Sequence, residues 1–429
     1  MAAAASALRE TTRSEWPISF GRERWPRGYP ELSLVQEHPA HQAALSASAA
    51  DPGLQRLLPD ADGIDPFLIT IDGGFRMMQG TLPYALIRWA ASELLLLGID
   101  LTPDALGERV VAGLELVRKA VAGQSVPITR LIAYAGFPLA TGQTIATPWG
   151  RLLPANVPEW LQVRRQDEGA TAVLVSGAEE RLWIHHSVEP ERTPAEREAM
   201  LAEAKRRYRI ATYLTPLALV LGTAGRTSPV APRPLWEMML RPWEASYAAR
   251  GWMLPPPPFG QATPLAPEEL DEIARWSHLL GAHDDESLEL AGRRIVSAHS
   301  QRWTLDDVLV DSVIGWESLV GGRTDTSFRT TAAMACLLAP LRGERRIDVH
   351  ERLKAVYKAR SDVVHGNAHT QQWSVAKGEP RVGMDVIAAA ALDAAVRAFR
   401  ALLEERADLI ALSAHARSQR LLLGVDEGV

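Results

Sequence analysis

Apolar and polar positions change period along this 429-residue chain, and the changes divide it. Over 1–64 no period develops. Trp16-Pro17, Trp25-Pro26, Gly28, Pro30, Pro39, Pro52 and Pro59 interrupt too often for long helices, so this reads as an irregular N-terminal arm, tied down in part by Trp16 and Trp25. Phe67-Leu-Ile-Thr-Ile71 is strand-like, Asp72-Gly73-Gly74 is a turn signal, and Phe75–Met78 completes a hairpin. Helical spacing follows over 81–97 and 103–122, the second opened by Thr102 and Asp104 and stopped by Gly123. From 127 to 187 strand-like runs dominate: Ile128–Tyr134, Gln143–Thr147, Leu161–Arg165, Ala170–Val175 and Arg181–His186, with a turn at Asp167-Glu168-Gly169. A charged helix is expected over 193–208, and the apolar stretch 210–221 fits either helix or strand.

Proline is dense over 226–264. The run Pro255–Pro258 can continue neither a helix nor a sheet ladder, and it predicts a boundary. Beyond 264 the period is helical. Helices are expected from Pro267 to 281, over 285–301, 305–320, 327–339, 346–365 and 385–405, with a capping box at Thr304…Asp307 and a stop at Gly321-Gly322. Short loops between them predict a bundle. The expected fold class is α+β: a β-rich mixed domain over 65–255 and an all-α bundle over 264–410, flanked by the arm 1–64 and a C-terminal tail 411–429.

Composition removes several classes. At 47% hydrophobic and 23% charged residues the chain is globular rather than disordered. A single cysteine, Cys336, excludes a disulfide framework and a multi-thiolate zinc site. No apolar run approaches the roughly 20 residues of a membrane span. Arg9, Glu10 and Arg13 interrupt the alanine-rich start before a signal core forms, so a cytoplasmic protein without membrane contact is expected. The net charge of −6 means that nucleic-acid contact would need a local basic patch. There is no phosphate-binding glycine loop and no G-x-S-x-G elbow. His185-His186 and His365…His369 have metal-pair spacing, but the second lacks a zincin's glutamate and straddles Gly366; neither a metal nor another cofactor is expected.

The informative segment is 341–366. Over 342–360 seven basic residues face three acids, a local excess in an acidic chain. Leu353, Val356, Tyr357 and Val364 form an apolar row on the expected helix, and Arg360 falls in it; an arginine there must be paired or must line a cavity. His365 follows at the end of a helix that favours a cation, and Gly366 is a natural stop. Arginine for phosphate and histidine for proton transfer are the minimum for RNA cleavage by its own 2′-hydroxyl. Spacing alone does not select this pair, because Arg-x4-His also occurs at Arg181…His186, Arg294…His299 and Arg345…His350. Five helical positions separate side chains by about 140°, so Arg360 and His365 converge only if the helix ends between them or a second subunit completes the site.

Three pieces in this order carry a resemblance: Leu290-Ala-Gly-Arg-Arg-Ile-Val-Ser-Ala-His-Ser-Gln-Arg302, Asp307-Val-Leu-Val-Asp-Ser-Val-Ile-Gly-Trp-Glu-Ser-Leu319, and Leu353-Lys-Ala-Val-Tyr-Lys-Ala-Arg-Ser-Asp-Val-Val-His-Gly366. Together they resemble the Apea-like branch of the HEPN superfamily over about 264–410. The resemblance implies a dimerising helical bundle that often acts as a metal-independent endoribonuclease, many members serving in anti-phage defence or toxin systems. It maps the catalytic pair onto Arg360 and His365, and a polar neighbour onto Ser361. Glu317 and Asp311 match acidic positions expected to hold Arg360. Arg294 and Arg302 would line the same groove, and Lys354 and Lys358 would add RNA contacts. The implied partners are an RNA substrate, a second copy of the chain and a regulatory protein. Two other classes stay open: a HEPN scaffold that binds RNA or dimerises without chemistry, and an effector controlled by a partner protein.

Overall fold

The structure, a computed structural model, describes residues 39–57, 66–70, 73–76, 81–100, 102–155, 170–185, 193–224, 226, 230–244, 250–251, 263–283, 286–322, 326–366, 372–374 and 381–424. Trp16, Trp25, the expected strand at Leu161–Arg165 with its turn, the Pro255–Pro258 run, His186 and His369 lie outside these residues. The chain is mixed α+β with a helical C-terminal region. It forms two compact units that interleave in sequence: Met1–Ala133, Leu153–Tyr208 and Leu235–Trp252 make one, and Tyr134–Leu152, Arg209–Pro234 and Met253–Val429 the other.

The first unit begins with a correction. Part of the segment expected to be irregular is helix α1, Pro39–Ala49, followed by a 3-10 turn, Pro52–Leu57. Proline opens both elements, where its missing N–H costs nothing. Ala44, Leu54 and Leu57 join the core, and Asp51 pairs with Arg118. Strand β1, Phe67–Thr70, is antiparallel to β2, Gly73–Arg76, and to β7, Trp183–His185; Phe67 faces Arg76 on one side and His185 on the other. Helices α2, Leu82–Leu96, and α3, Pro103–Val121, fall where the pattern puts them. Thr102 caps α3 by accepting the Ala105 N–H at 3.2 Å. Gly113 lets α3 close on α2, because a Cβ there would lie 2.7 Å from the Trp89 ring.

The larger sheet comprises β3, Val126–Ala135; β4, Ile145–Thr147; β5, Gly150–Pro154; β6, Ala172–Glu180; β8, Arg233–Leu240; and β9, Arg250–Gly251. Its order is β4-β5-β6-β3-β8-β9. β8 lies within the proline-rich stretch 226–264, ahead of the Pro255–Pro258 run, as a strand for which the pattern gave no signal. Pro234 occupies only its second position, and the Trp236, Met238, Met239 and Leu240 side chains beyond it are buried. Charge enters this interior with partners: Arg241 lies 2.8 Å from Glu180, and Arg130 donates to Ser176 Oγ at 2.9 Å and stands 3.8 Å from Glu203. Helix α4, Pro194–Arg209, is the expected charged helix.

In the second unit the undecided stretch resolves as helix: a π turn, Ile210–Leu214, leads into α5, Thr215–Gly222, buried almost throughout. Then follow α6, Pro267–Ala282; α7, Glu286–Ser300; α8, Leu305–Val320; α9, Thr326–Arg342; α10, Arg346–Val364; and α11, Met384–Glu404. A short hairpin, β10 at Trp373–Ser374 and β11 at Arg381–Val382, lies between α10 and α11. The expected tail is instead α12, Ala414–Leu423. α8 is the hub of the bundle, packing against α7, α9, α10, α11 and α12. Its Trp316 is fully buried and donates to the Ala391 carbonyl of α11 at 3.0 Å.

Candidate functional site at the end of α10

α10 has two faces of different chemistry. Val349, Leu353, Val356 and Ala359 are buried against the bundle. Lys354, Lys358, Ser361 and His365 recur at i, i+4, i+7 and i+11, within about 60° of one another on an ideal helix. Lys354, Lys358 and His365 are exposed and Ser361 is half-buried, so these four form one solvent-facing stripe. The helix does not end between Arg360 and His365. It runs to Val364, and His365 is its C-cap, with its N–H donating to the Ser361 carbonyl at 3.0 Å. Gly366 then takes φ +71°, a conformation glycine adopts without strain. Arg360 and His365 of one chain therefore leave the axis in divergent directions, about 140° apart.

Arg360 lies toward the core side, with 22% of its side chain exposed. Its Nη2 is 3.8 Å from Oε2 of Glu317 on α8. Oε1 of the same carboxylate accepts the Tyr357 hydroxyl at 2.6 Å. The guanidinium carbon of Arg360 stands 5.9 Å from the Tyr357 ring centroid, within cation–π range. Arg360 Nε is buried and makes no hydrogen bond among the described residues. Burial, together with the bond and the charge of Glu317, pushes the Tyr357 phenol up to about 12; Arg360 opposes the shift. Tyr357 is thus a neutral donor that engages half of the Glu317 carboxylate.

Asp311 does not join this group. Its buried carboxylate accepts Arg294 Nη1 at 2.8 Å, Arg302 Nε at 2.5 Å and the Ser297 hydroxyl at 2.8 Å. The expectation that it pairs with Arg360 is corrected: six residues of helix separate it from Glu317, about 9 Å along the axis and well round it. Arg294 and Arg302, each about one third exposed, are held at this second cluster.

The three acids of the basic segment are taken up locally. Asp348 pairs with Arg345 at 2.7 Å, Glu351 with Lys354 at 3.7 Å, and Glu344 with Arg352. Arg342, Arg346 and Lys358 have no ion-pair partner among the described residues. A cavity of about 90 Å3, lined by Leu338, Val349, Arg352, Leu353 and Arg397, touches neither Arg360 nor His365. Among the described residues no three His, Cys, Asp or Glu side chains converge as metal ligands. His185 Nε2 instead lies 3.0 Å from Glu196.

Sequence reasoning missed the role of Tyr357, which it placed in the core row. The available signal was its position three residues before Arg360, on the same side of the helix. No protein-family model, no curated protein and no solved structure matches this chain.

Proposed function

We propose that this chain is a metal-independent endoribonuclease of the HEPN type, acting as a homodimer on RNA in the cytoplasm, in anti-phage defence or a toxin system. The observation that carries the reading is the end of α10, where an exposed imidazole caps a stripe containing Lys354 and Lys358, one turn beyond a half-buried arginine with an unbonded Nε. His365 takes the proton of a ribose 2′-hydroxyl as the 2′-oxygen bonds to phosphorus. The bond from phosphorus to the 5′-oxygen breaks, and His365 passes its proton to the leaving 5′-oxygen. Arg360 stabilises the charge on the phosphorane. Lys354 and Lys358 attract the backbone. The product is a 2′,3′-cyclic phosphate.

Because α10 is unbroken through Arg360, the pair is completed by a second copy, one chain giving the arginine and the other the histidine. Purified protein is expected to cleave RNA in excess chelator, and His365→Ala to lose this activity with an unchanged circular dichroism spectrum. Full cleavage by that variant would end the reading. The second reading is a scaffold in which Arg360 is structural; Glu317 at 3.8 Å favours it, since a paired arginine needs no further partner. The same experiment separates the two.

A further inference from the structure

The geometry points to Tyr357 as a positioning residue: by engaging Glu317 it keeps that carboxylate from closing on Arg360, and so leaves the guanidinium free for a phosphate. The inference rests on the proposed function for the identity of the anion, not for the contact itself.

Glu317 has two neighbours competing for one carboxylate. The Tyr357 hydroxyl holds Oε1 at 2.6 Å, a full hydrogen bond. Oε2 stops 3.8 Å from Arg360 Nη2, an ion pair without a hydrogen bond. A carboxylate facing an arginine ordinarily closes to a bidentate pair with two short N–H···O bonds. Here that closure has not occurred, and Arg360 Nε is likewise unbonded. Only about a quarter of the Glu317 side chain is exposed, so solvent competes weakly for the carboxylate. Tyr357 and Arg360 sit three residues apart on α10 while Glu317 comes from α8, so bundle packing sets the three-way distance.

The test uses full-length protein carrying His365→Ala, which binds without cutting, and a single-stranded RNA oligonucleotide as probe. Tyr357→Phe keeps the ring and removes the hydroxyl. Glu317 then closes on Arg360, and RNA binding weakens by about tenfold, the scale of one charge-assisted contact. Adding Glu317→Gln removes the closing carboxylate, and the double variant binds within about twofold of Glu317→Gln alone. A purely structural role for the hydroxyl gives no such rescue. Unchanged binding in Tyr357→Phe, or a double variant as weak as Tyr357→Phe, overturns the inference.

A second readout needs no RNA. The Arg360 Nε–Hε nuclear magnetic resonance signal, assigned by its loss in Arg360→Lys, is expected to shift in Tyr357→Phe and to return toward its Glu317→Gln position in the double variant. A signal indifferent to Tyr357→Phe overturns the inference. If wild-type protein neither binds nor cuts RNA, the nuclease reading fails, and this signal alone decides the role of Tyr357.

Discussion

A guanidinium on the core side of a helix needs a counter-charge, and Arg360 has one that is held short of full contact. His299 shows the opposite solution. It belongs to one of the other Arg-x4-His matches, yet Arg294 turns to Asp311, and the Nδ1 of His299 is buried without a hydrogen bond. Burial pulls this imidazole down to about 4 from the 6.5 of a free histidine. The unfolded chain therefore binds a proton between pH 6.5 and 4 that the folded chain refuses. Stability from this residue is complete above pH 6.5 and is lost as the pH falls toward 4. The residue as a whole is half-buried, so the loss is at most about 3 kcal/mol. Denaturant titrations of His299→Gln against wild type are expected to show a flatter pH dependence in that window; an unchanged slope would place the acid sensitivity elsewhere.

At the scale of elements, α8 and α10 build the site between them, and α12 holds the bundle beside it. α8 carries Glu317 and Asp311 into two separate clusters because six residues of helix cannot present both to one arginine. α12 contributes Arg417, fully buried, which donates to the carbonyls of Leu319, Leu409 and Ile410 and to the Ser287 hydroxyl. One side chain thus ties the end of α8, the start of α7 and the turn before α12 together. Arg417→Ala strips several buried carbonyls of their donor and is expected to cost about 3–5 kcal/mol. Removal of residues after 410 is expected to destabilise at least as much. Thermal unfolding followed by circular dichroism checks both, and a melting temperature unmoved by either change would show that α12 is dispensable.

At the scale of the whole molecule, an unbroken α10 leads to a prediction about assembly. Arg360→Ala and His365→Ala proteins are each expected to be inactive on RNA. Mixed and allowed to exchange subunits, they are expected to regain cleavage, because in the proposed dimer each heterodimer would hold one site with arginine from one chain and histidine from the other. No recovery, with exchange shown by mass, would contradict a shared site.

Periodicity made the helices of 264–405 legible to within a few residues, since each combines an apolar stripe with a local start or stop signal. It located Arg360 in the apolar row and His365 before a glycine stop. It failed where long-range contact overrides local pattern. α1 forms in a proline-punctuated segment because Ala44, Leu54, Leu57 and the Asp51–Arg118 pair anchor it. β8 forms in a proline-rich stretch because β3 and β9 supply its ladder partners. α12 forms at an expected tail because Arg417 finds buried carbonyls. Sequence by itself determined which residues share a helix and how far round its axis they stand, because those follow from a fixed rise and turn. Only the tertiary structure decided which acid meets which arginine, and that a tyrosine bonds the other oxygen of that acid, because such meetings depend on how α8 and α10 pack.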